Sequence, residues 1–242
     1  MKYGVMDGVL RGTKEELFSD AQRLGFHGVE LWNINEDSIS ELKMLSKKTG
    51  VAVASVVCGP QGLESPNAEE RKAAGEILAG VIKRCESVGA DVILVPFFGM
   101  RNLDNKESAL RAVEFFKECA KPAEKYKVTL ALEMAMDAPC SLELVKKIGS
   151  EYVKVYYDVG NATSTGYDVV SEIKLLVGQI AQFHIKDTNG QLGEGKVPLE
   201  AACKAIKEIN FNGYLVLETP STDDPPKAAE KNLAYLKKCL GF

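Results

Sequence analysis

The chain has 242 residues but only two histidines, one tryptophan and six cysteines. No two cysteines form a Cys-x-x-Cys pair, which argues against a zinc knuckle and against a disulfide framework. Thiol catalysis would need an imidazole to activate the sulfur. His27 lies at the start of a predicted strand, away from any predicted site, so that chemistry is not expected. We expect six reduced thiols and a cytoplasmic protein.

The sequence also lacks an excess of positive charge and a long apolar run. Its net charge is -4 and its pI is about 5.5, and no dense stretch of Lys and Arg could follow a phosphate backbone. The longest apolar stretch, VILVPFFGM, is far shorter than the roughly 20 residues of a membrane span. The amino terminus meets charge and glycine before any apolar region, so no signal peptide is expected. We therefore expect neither nucleic acid nor membrane as a partner.

What the sequence does contain is a regular alternation of strand and helix patterns. Runs rich in Val, Ile, Leu, Phe and Tyr predict eight strands, and amphipathic stretches between them predict eight helices. Thr13, Asn67 and Ser141 are predicted helix N-caps. Gly25, Gly50, Gly89 and Gly149 are predicted helix ends. The predicted strands lie near residues 2–7, 27–32, 51–57, 91–97, 128–134, 152–158, 180–186 and 213–219.

Two α/β architectures fit this alternation, an open doubly wound sheet and a closed (β/α)8 barrel. The open fold usually carries a glycine-rich nucleotide turn after its first strand, whereas here the first turn reads DGVLRGT and G-x-G-x-x-G is absent. No composition break or linker interrupts the series. We predict one α/β domain over residues 1–242, a (β/α)8 TIM barrel.

Four residues end predicted strands: Glu133, Asp158, His184 and Glu218. In a parallel barrel they would meet at the carboxyl-end mouth, and the strand period of two points all four inward. Each carboxylate alone could instead cap the following helix. Together they would repel one another unless a cation neutralised them, so we predict a divalent-metal site. Three carboxylates and one imidazole favour Mn²⁺, Co²⁺ or Mg²⁺, with Zn²⁺ less favoured.

Several of these segments resemble the sugar phosphate isomerase/epimerase family. That family belongs to the xylose isomerase-like TIM-barrel superfamily, which also contains AP endonucleases. The similar segments are GFHGVELW, LALEM, YYDVGNA, FHIKDTNGQLGEGKVPLE and YLVLETP, so the resemblance covers nearly the whole chain.

The resemblance implies that the four residues bind one metal ion and that Glu133 and Glu218 are the catalytic acid/base pair. It also implies that Asn161, where many relatives carry histidine, and Glu194, in a Gly-Glu-Gly turn, contact the substrate. The glycine-rich loop around Glu194 could equally be a closing loop.

Strand parity adds three further substrate-binding candidates. Lys186 shares the parity of His184, with a solvated lysine or a pair with Asp187 as the alternative. Glu30 and Trp32 share an inward parity at the end of the second strand. For Trp32, core packing is the alternative.

The resemblance therefore implies a metal-dependent sugar or sugar-phosphate epimerase or isomerase working by two-carboxylate proton transfer through a metal-stabilised enediolate. The alternatives are an inosose-type keto-polyol dehydratase and a non-catalytic metal-binding sugar sensor. An AP endonuclease-type phosphodiesterase is the weakest, since its three-metal cluster needs more than two histidines. The expected partner is a small carbohydrate, and a homo-oligomer is left open.

The phosphate question is separate. The loop after the eighth strand, TPSTDDPP, places Asp223 and Asp224 where many barrels bind phosphate. Lys186, Lys196 and Arg101 could oppose that charge. The balance favours an unphosphorylated substrate.

Overall fold

The strands form a closed barrel in which each is parallel to its sequence neighbours and β8 returns to β1. The computed structural model describes residues 1–100 and 103–242. The predicted (β/α)8 barrel and all eight predicted strands are confirmed. The strands are β1 Lys2–Met6, β2 Gly28–Leu31, β3 Ala52–Val57, β4 Val92–Phe97, β5 Thr129–Met134, β6 Val153–Asp158, β7 Ile180–Ile185 and β8 Tyr214–Leu217.

The described residues form ten α-helices, so the prediction of eight was wrong. The two additional helices, α1 and α7, are short and directly follow β1 and β6 at the mouth. Their four and seven residues are too few for a clear amphipathic pattern. The helices are α1 Asp7–Leu10, α2 Lys14–Leu24, α3 Ile39–Thr49, α4 Ala68–Val88, α5 Lys106–Tyr126, α6 Ala138–Ile148, α7 Val159–Thr165, α8 Val169–Leu175, α9 Leu199–Glu208 and α10 Pro225–Leu240.

Most of the predicted helix ends are confirmed, and one is corrected. Thr13 forms a capping box with Glu16, and Asn67 accepts a hydrogen bond from the amide of Glu69. The four predicted glycines follow their helices in the left-handed conformation. Ser141, however, is buried inside α6, and Asp137 is the N-cap, accepting from Cys140 N at 2.9 Å. The first turn of α6 tolerates Pro139, because amide hydrogens there have no partner within the helix. The helix therefore begins earlier than predicted.

The register of the strands places the candidate site residues at one level. Asp158 is paired directly with His184 across β6 and β7, and Glu133 is paired with Pro96 across β4 and β5. Their sequence neighbours point outward. Tyr157, next to Asp158, reaches α8, where its hydroxyl donates to Glu172 at 2.8 Å.

The amino-end floor of the barrel is closed by packing rather than charge. A Cβ on Gly28 would lie 2.8 Å from Tyr214 Cε1 and 2.9 Å from Ala54 Cβ. Gly28 is therefore required for the tyrosine ring to enter the barrel. This apolar floor leaves the carboxyl end as the opening of the barrel.

The cysteines and the helix lengths can be compared with the expectations of free thiols and of no membrane span. All six cysteines are free, and four of them are buried. Across residues 1–100 and 103–242, no helix has both the length and the apolar character of a bilayer span.

Candidate metal centre

The four predicted site residues meet at the mouth of the barrel around Nδ1 of His184. That nitrogen lies 3.1 Å from Glu218 Oε2, 3.8 Å from Asp158 Oδ2 and 3.9 Å from Glu133 Oε1. Glu133, Asp158 and His184 are buried, and each offers a donor atom within 4.8 Å of the others. Glu218 is the most open member, with 26% of its side chain exposed.

Asp158 serves two purposes with its two oxygens. Its Oδ1 accepts hydrogen bonds from Gly160 N at 2.8 Å and Asn161 N at 2.9 Å, which caps α7. Its Oδ2 faces the centre of the site and makes no aligned hydrogen bond. The helix-capping interpretation and the ligand interpretation of this residue are therefore compatible.

His184 is held from behind by a buried carboxylate. Its Nε2 lies 2.6 Å from Glu30 Oε1, and both side chains are almost completely buried. A carboxylate at Nε2 favours a proton on that nitrogen, so Nδ1 is the ring atom that faces the three carboxylates and can hold either a proton or a cation. Nδ1 has no aligned hydrogen-bond partner in the described structure.

Glu30 belongs to a hydrogen-bond network across the barrel interior. Its Oε2 accepts from Ser55 Oγ at 2.5 Å and from Tyr156 OH at 2.8 Å. Gln182 Nε2 then donates to Ser55 Oγ at 2.6 Å. These contacts satisfy the buried carboxylate and fix its position beneath His184.

Lys186 is the cation that the described structure places among the acidic groups. Its Nζ lies 2.7 Å from both Asp158 Oδ2 and Glu218 Oε2. Its stem passes over the start of α7, where a Cβ on Gly160 would lie 2.6 Å from Lys186 Cγ. The glycine therefore provides the space that lets the ammonium reach the site.

The surroundings of Glu133 and Glu218, the two catalytic candidates, shift their pKa values in opposite directions. Burial raises the pKa of Glu133 to about 8. Burial also acts to raise the pKa of Glu218, but the contact with His184 at 3.1 Å and the charges of His184 and Lys186 outweigh it and lower that pKa. The two carboxyl groups thus differ in proton affinity, as an acid/base pair requires.

Asp158 and His184, the two most deeply buried groups of the centre, also have pKa values that their neighbours shift. Burial opposes ionisation of Asp158, yet the nearby His184 and the charge of Lys186 hold its pKa at about 2. Burial lowers the pKa of His184, but Glu30 and then Asp158 and Glu218 raise it well above its ordinary value. This is the electrostatic signature of a site built for positive charge.

The donor set fits a divalent cation. It combines carboxylate oxygens with one imidazole nitrogen, His184 Nδ1, which makes no aligned hydrogen bond, and Asp158 Oδ2 is already paired with the ammonium of Lys186 at 2.7 Å. Hard oxygen-rich sets of this kind suit Mg²⁺ or Mn²⁺, and the imidazole extends the range to Co²⁺ and Zn²⁺. Glu133, Asp158 and His184 would be ligands, and Glu218 completes the predicted set.

The structure locates the five residues for which substrate contact was predicted. Lys186 and Asn161 lie in the site, and Asn161 Nδ2 donates to Glu133 Oε1 at 2.9 Å. Trp32 is 56% exposed at the mouth, so the core-packing alternative for it is wrong. Glu30 has no exposed surface and contacts His184 instead of the opening. Glu194 accepts from Gln191 N at 2.7 Å within its own loop.

Sequence reasoning missed Asp7, which directly follows β1. Its Oδ2 accepts from Trp32 N at 3.0 Å, while its Oδ1 is buried without a hydrogen-bond partner. Burial raises its pKa. The signal was present, because Asp7 ends a strand as the other candidates do. Arg101, predicted to answer a phosphate, lies outside the described residues.

A cavity of about 340 Å³ opens beside Asp158. Its wall is formed largely by the segments that follow β5 and β6. It contains both polar groups and apolar surface, among them Asn161, Ser164, Thr165, Met134 and Phe98. A space of this size next to the acidic residues can hold a small molecule.

A closed parallel barrel with an acidic, histidine-containing mouth defines a (β/α)8 protein with a candidate metal centre. Within that class, residues 18–239 match the model of the xylose isomerase-like TIM barrel family, and the chain belongs to this family.

Comparison with individual proteins gives two curated relatives and one solved structure. The L-ribulose-5-phosphate 3-epimerase UlaE of Escherichia coli K12 is 27% identical over 247 residues, covering 90% of this chain and 86% of that protein. A probable L-ribulose-5-phosphate 3-epimerase UlaE of Mycoplasma pneumoniae is 34% identical over 138 residues, covering 52% of this chain but only 45% of that protein. The D-psicose 3-epimerase of Clostridium cellulolyticum H10, solved with D-tagatose, has a TM-score of 0.88 at 22% identity and covers 99% of both chains. At that identity the last similarity concerns the fold alone.

Proposed function

We propose that this protein is a metal-dependent isomerase that epimerises or isomerises a small ketose. The observation that carries the proposal is the convergence of Glu133, Asp158 and Glu218 on Nδ1 of His184. The curated relatives named above are ketose-phosphate epimerases, which supports the isomerase class. Fold similarity alone would not, because barrels of this kind host many activities.

Asp158 and His184, with the two glutamates, would hold the cation. When bound, the cation supplies a Lewis acid that polarises the carbonyl of the substrate and stabilises negative charge on its oxygen. Glu30 keeps His184 in the tautomer that can ligate. The ionised Asp158 contributes charge and stays out of the proton transfer, because its pKa is about 2.

Glu133 and Glu218 are the proton carriers in this proposal. One removes the proton from the carbon beside the carbonyl, and the other returns a proton to the opposite face, which inverts that centre. Return to the carbonyl carbon would interconvert aldose and ketose instead. Asn161 orients Glu133 through its amide, and Lys186 orients Glu218 through its ammonium. Each carrier is therefore fixed by a separate residue.

The decisive test compares Glu133→Gln with Glu218→Gln in the Mn²⁺-loaded protein. Each change keeps an oxygen ligand but removes a base, so interconversion should fall about 10²- to 10⁴-fold while metal binding is partly retained. Each variant should still exchange deuterium from heavy water into the one epimer that its remaining carboxylate can reach. Nuclear magnetic resonance of L-ribulose and D-psicose reports both exchange and epimer ratio.

A matched control is Glu86→Gln, which removes one exposed carboxylate near the end of α4, at the opposite end of the barrel. It should leave exchange and interconversion unchanged. Near wild-type interconversion by both active-site variants would refute the two-carboxylate mechanism. Loss of water from an inosose, without epimerisation of any ketose, would indicate the dehydratase instead.

A further inference from the structure

We infer that the site takes a ketose without a phosphate group, an inference that rests on the proposed function and specifies its substrate. In (β/α)8 barrels, phosphate commonly binds to backbone amides of the loops after β7 and β8 and to a nearby helix N-terminus. In this chain the amide donors of these segments already donate to groups of the protein, among them the carboxylates of Asp187, Glu194 and Asp224.

The loop between β7 and α9 is closed by its own acidic side chains. Asp187 accepts from the amides of Thr188, Gly193 and Val197 at 2.8 to 3.0 Å. Glu194 Oε2 accepts from Gln191 N at 2.7 Å. Carboxylates thus stand where an anionic ligand would use these amides. Asp187 is buried, so displacing it would leave a buried charge unpaired, whereas Glu194 is exposed.

The loop is also anchored from outside. Asn232 on α10 accepts from Leu192 N at 3.1 Å and donates to Gln191 Oε1 at 2.7 Å and Thr219 Oγ1 at 3.0 Å. Together with Asp187, this amide fixes the glycine-rich segment at both of its sides. The flexible-closure interpretation of the loop is thereby disfavoured, and so is its rearrangement around a phosphate.

The helix N-terminus after β8 offers no free donor in its first turn. Pro225 and Pro226 begin α10 and carry no amide hydrogen. The next amide, that of Lys227, already donates to Asp224 Oδ1 at 3.3 Å. Asp223 is exposed beside it, so the local charge is negative. An anion would meet repulsion here rather than the usual attraction of a helix start.

Among the lysines near these loops, Lys196 and Lys227 are exposed to solvent, and Lys186 is committed to the acidic centre. Lys186 is ion-paired with Asp158 and Glu218 at 2.7 Å.

The cavity beside Asp158 adjoins the centre through Asp158 and Asn161, while Glu133, His184 and Glu218 do not line it. It presents the hydroxyl-bearing residues Ser164 and Thr165, and its described lining contains the carboxylates of Asp158 and Glu172 but neither Lys nor Arg. Hydroxyl and amide groups are the partners of an uncharged polyol.

The test measures kcat/KM for matched pairs that differ only in the phosphate: L-ribulose and L-ribulose 5-phosphate, and D-psicose and D-psicose 6-phosphate. With Mn²⁺ bound, we expect the free sugar of the better pair to be preferred by at least about 10-fold, since several nearby like charges oppose the anion. A preference for the phosphate would overturn the inference while leaving the proposed epimerase intact. Absence of turnover and of proton exchange for every sugar would instead refute the proposed function, and the inference with it.

Two variants test the cause of the preference. Glu194→Gln and Asp223→Asn each remove one of the opposing charges, and each should shift the ratio toward the phosphate by about 3- to 10-fold. Glu86→Gln, at the far end of the barrel, should not change it. If neither loop variant differs from that control, the loops do not set the preference and the inference is wrong. Circular dichroism confirms that each variant is folded.

Discussion

The two halves of the barrel, β1–β4 and β5–β8, carry different chemistry at the mouth. In the second half the strand ends supply Glu133, Asp158 and His184, and Glu218 follows directly. The last residues of the first four strands are instead apolar and buried: Met6, Leu31, Val57 and Phe97. The candidate metal centre therefore lies to one side of the opening.

One carboxylate of the first half crosses this division. Glu30 lies one residue before the end of β2 and spans the barrel to reach His184 on β7. The first half therefore holds His184 in position through Glu30 but contributes no predicted ligand. Trp32 after β2 and Phe98 after β4 expose 56% and 45% of their surfaces, so the first half contributes exposed aromatic groups to the mouth.

If the metal centre belongs to β5–β8 alone, the largest expected effect is a fall in melting temperature when the metal is removed. Four ligands on adjacent strands tie β5–β8 together, so a metal at about 100 times its dissociation constant should raise the melting temperature by about 5 to 10 °C. Scanning calorimetry with and without chelator measures this shift. Amide hydrogen exchange should show the added protection in β5–β8 and in β2, rather than in β3 and β4.

His184→Ala is the matched control for that experiment. The variant should lose both the metal-dependent shift in melting temperature and stoichiometric metal uptake measured by elemental analysis. If the variant still takes up one metal ion, or if protection rises evenly around the barrel, the one-sided centre is wrong.

The second prediction concerns the carboxylate that crosses the barrel. Glu30→Leu removes the acceptor at His184 Nε2 and should weaken metal binding about 10- to 100-fold, the usual effect of losing a partner behind a ligand. Glu30→Gln keeps an acceptor oxygen and should lose less. Isothermal titration with Mn²⁺ separates the two variants. Equal affinity in Glu30→Leu and wild type would show that the first half contributes nothing to the centre.

The smallest effect is expected from Gly160→Ala. The added methyl would contact Lys186 Cγ and displace the ammonium from Asp158 and Glu218. We expect kcat/KM for the preferred ketose to fall by up to about 10-fold, on the scale of one lost ion-pair contact. Gly80→Ala, in α4, where only the end of Arg84 is close, is the control and should be neutral or slightly stabilising. A Gly160→Ala enzyme with unchanged kcat/KM would remove Lys186 from the working site.

Features that repeat along the chain could be predicted from the sequence. The alternation of strand and helix predicted the barrel, and the period of two in each strand assigned Glu133, Asp158 and His184 to its interior. The same rule does not find Asp7, because Met6 pairs with Glu30 in the register of β1 and β2 and the period of two gives Asp7 the opposite face. Ser141 was misassigned because Asp137, four residues earlier, competed for the same cap and Pro139 favoured the earlier start.

Other features depend on which hydrogen-bond partner a polar group finds, and a local pattern does not encode that choice. The role of Asp158 is divided between two oxygens that a sequence cannot distinguish. Glu194 resembles a ligand-binding residue by motif, yet its carboxylate satisfies an amide three residues away. Asn161 acts on Glu133 because α7 returns its amide to β5, a consequence of a helix too short to be predicted.

The order of the elements, the barrel and the four groups at its carboxyl end could be predicted from the sequence, because backbone periodicity and strand-end position are local properties. The contact of Glu30 with His184, 154 residues away, depends on the folded chain, and so does the loss of anion-binding donors in two loops through Asp187, Glu194 and Pro225. Barrel closure fixes distances between residues remote in sequence. Those distances determine which charges are paired and which atoms remain available to a ligand.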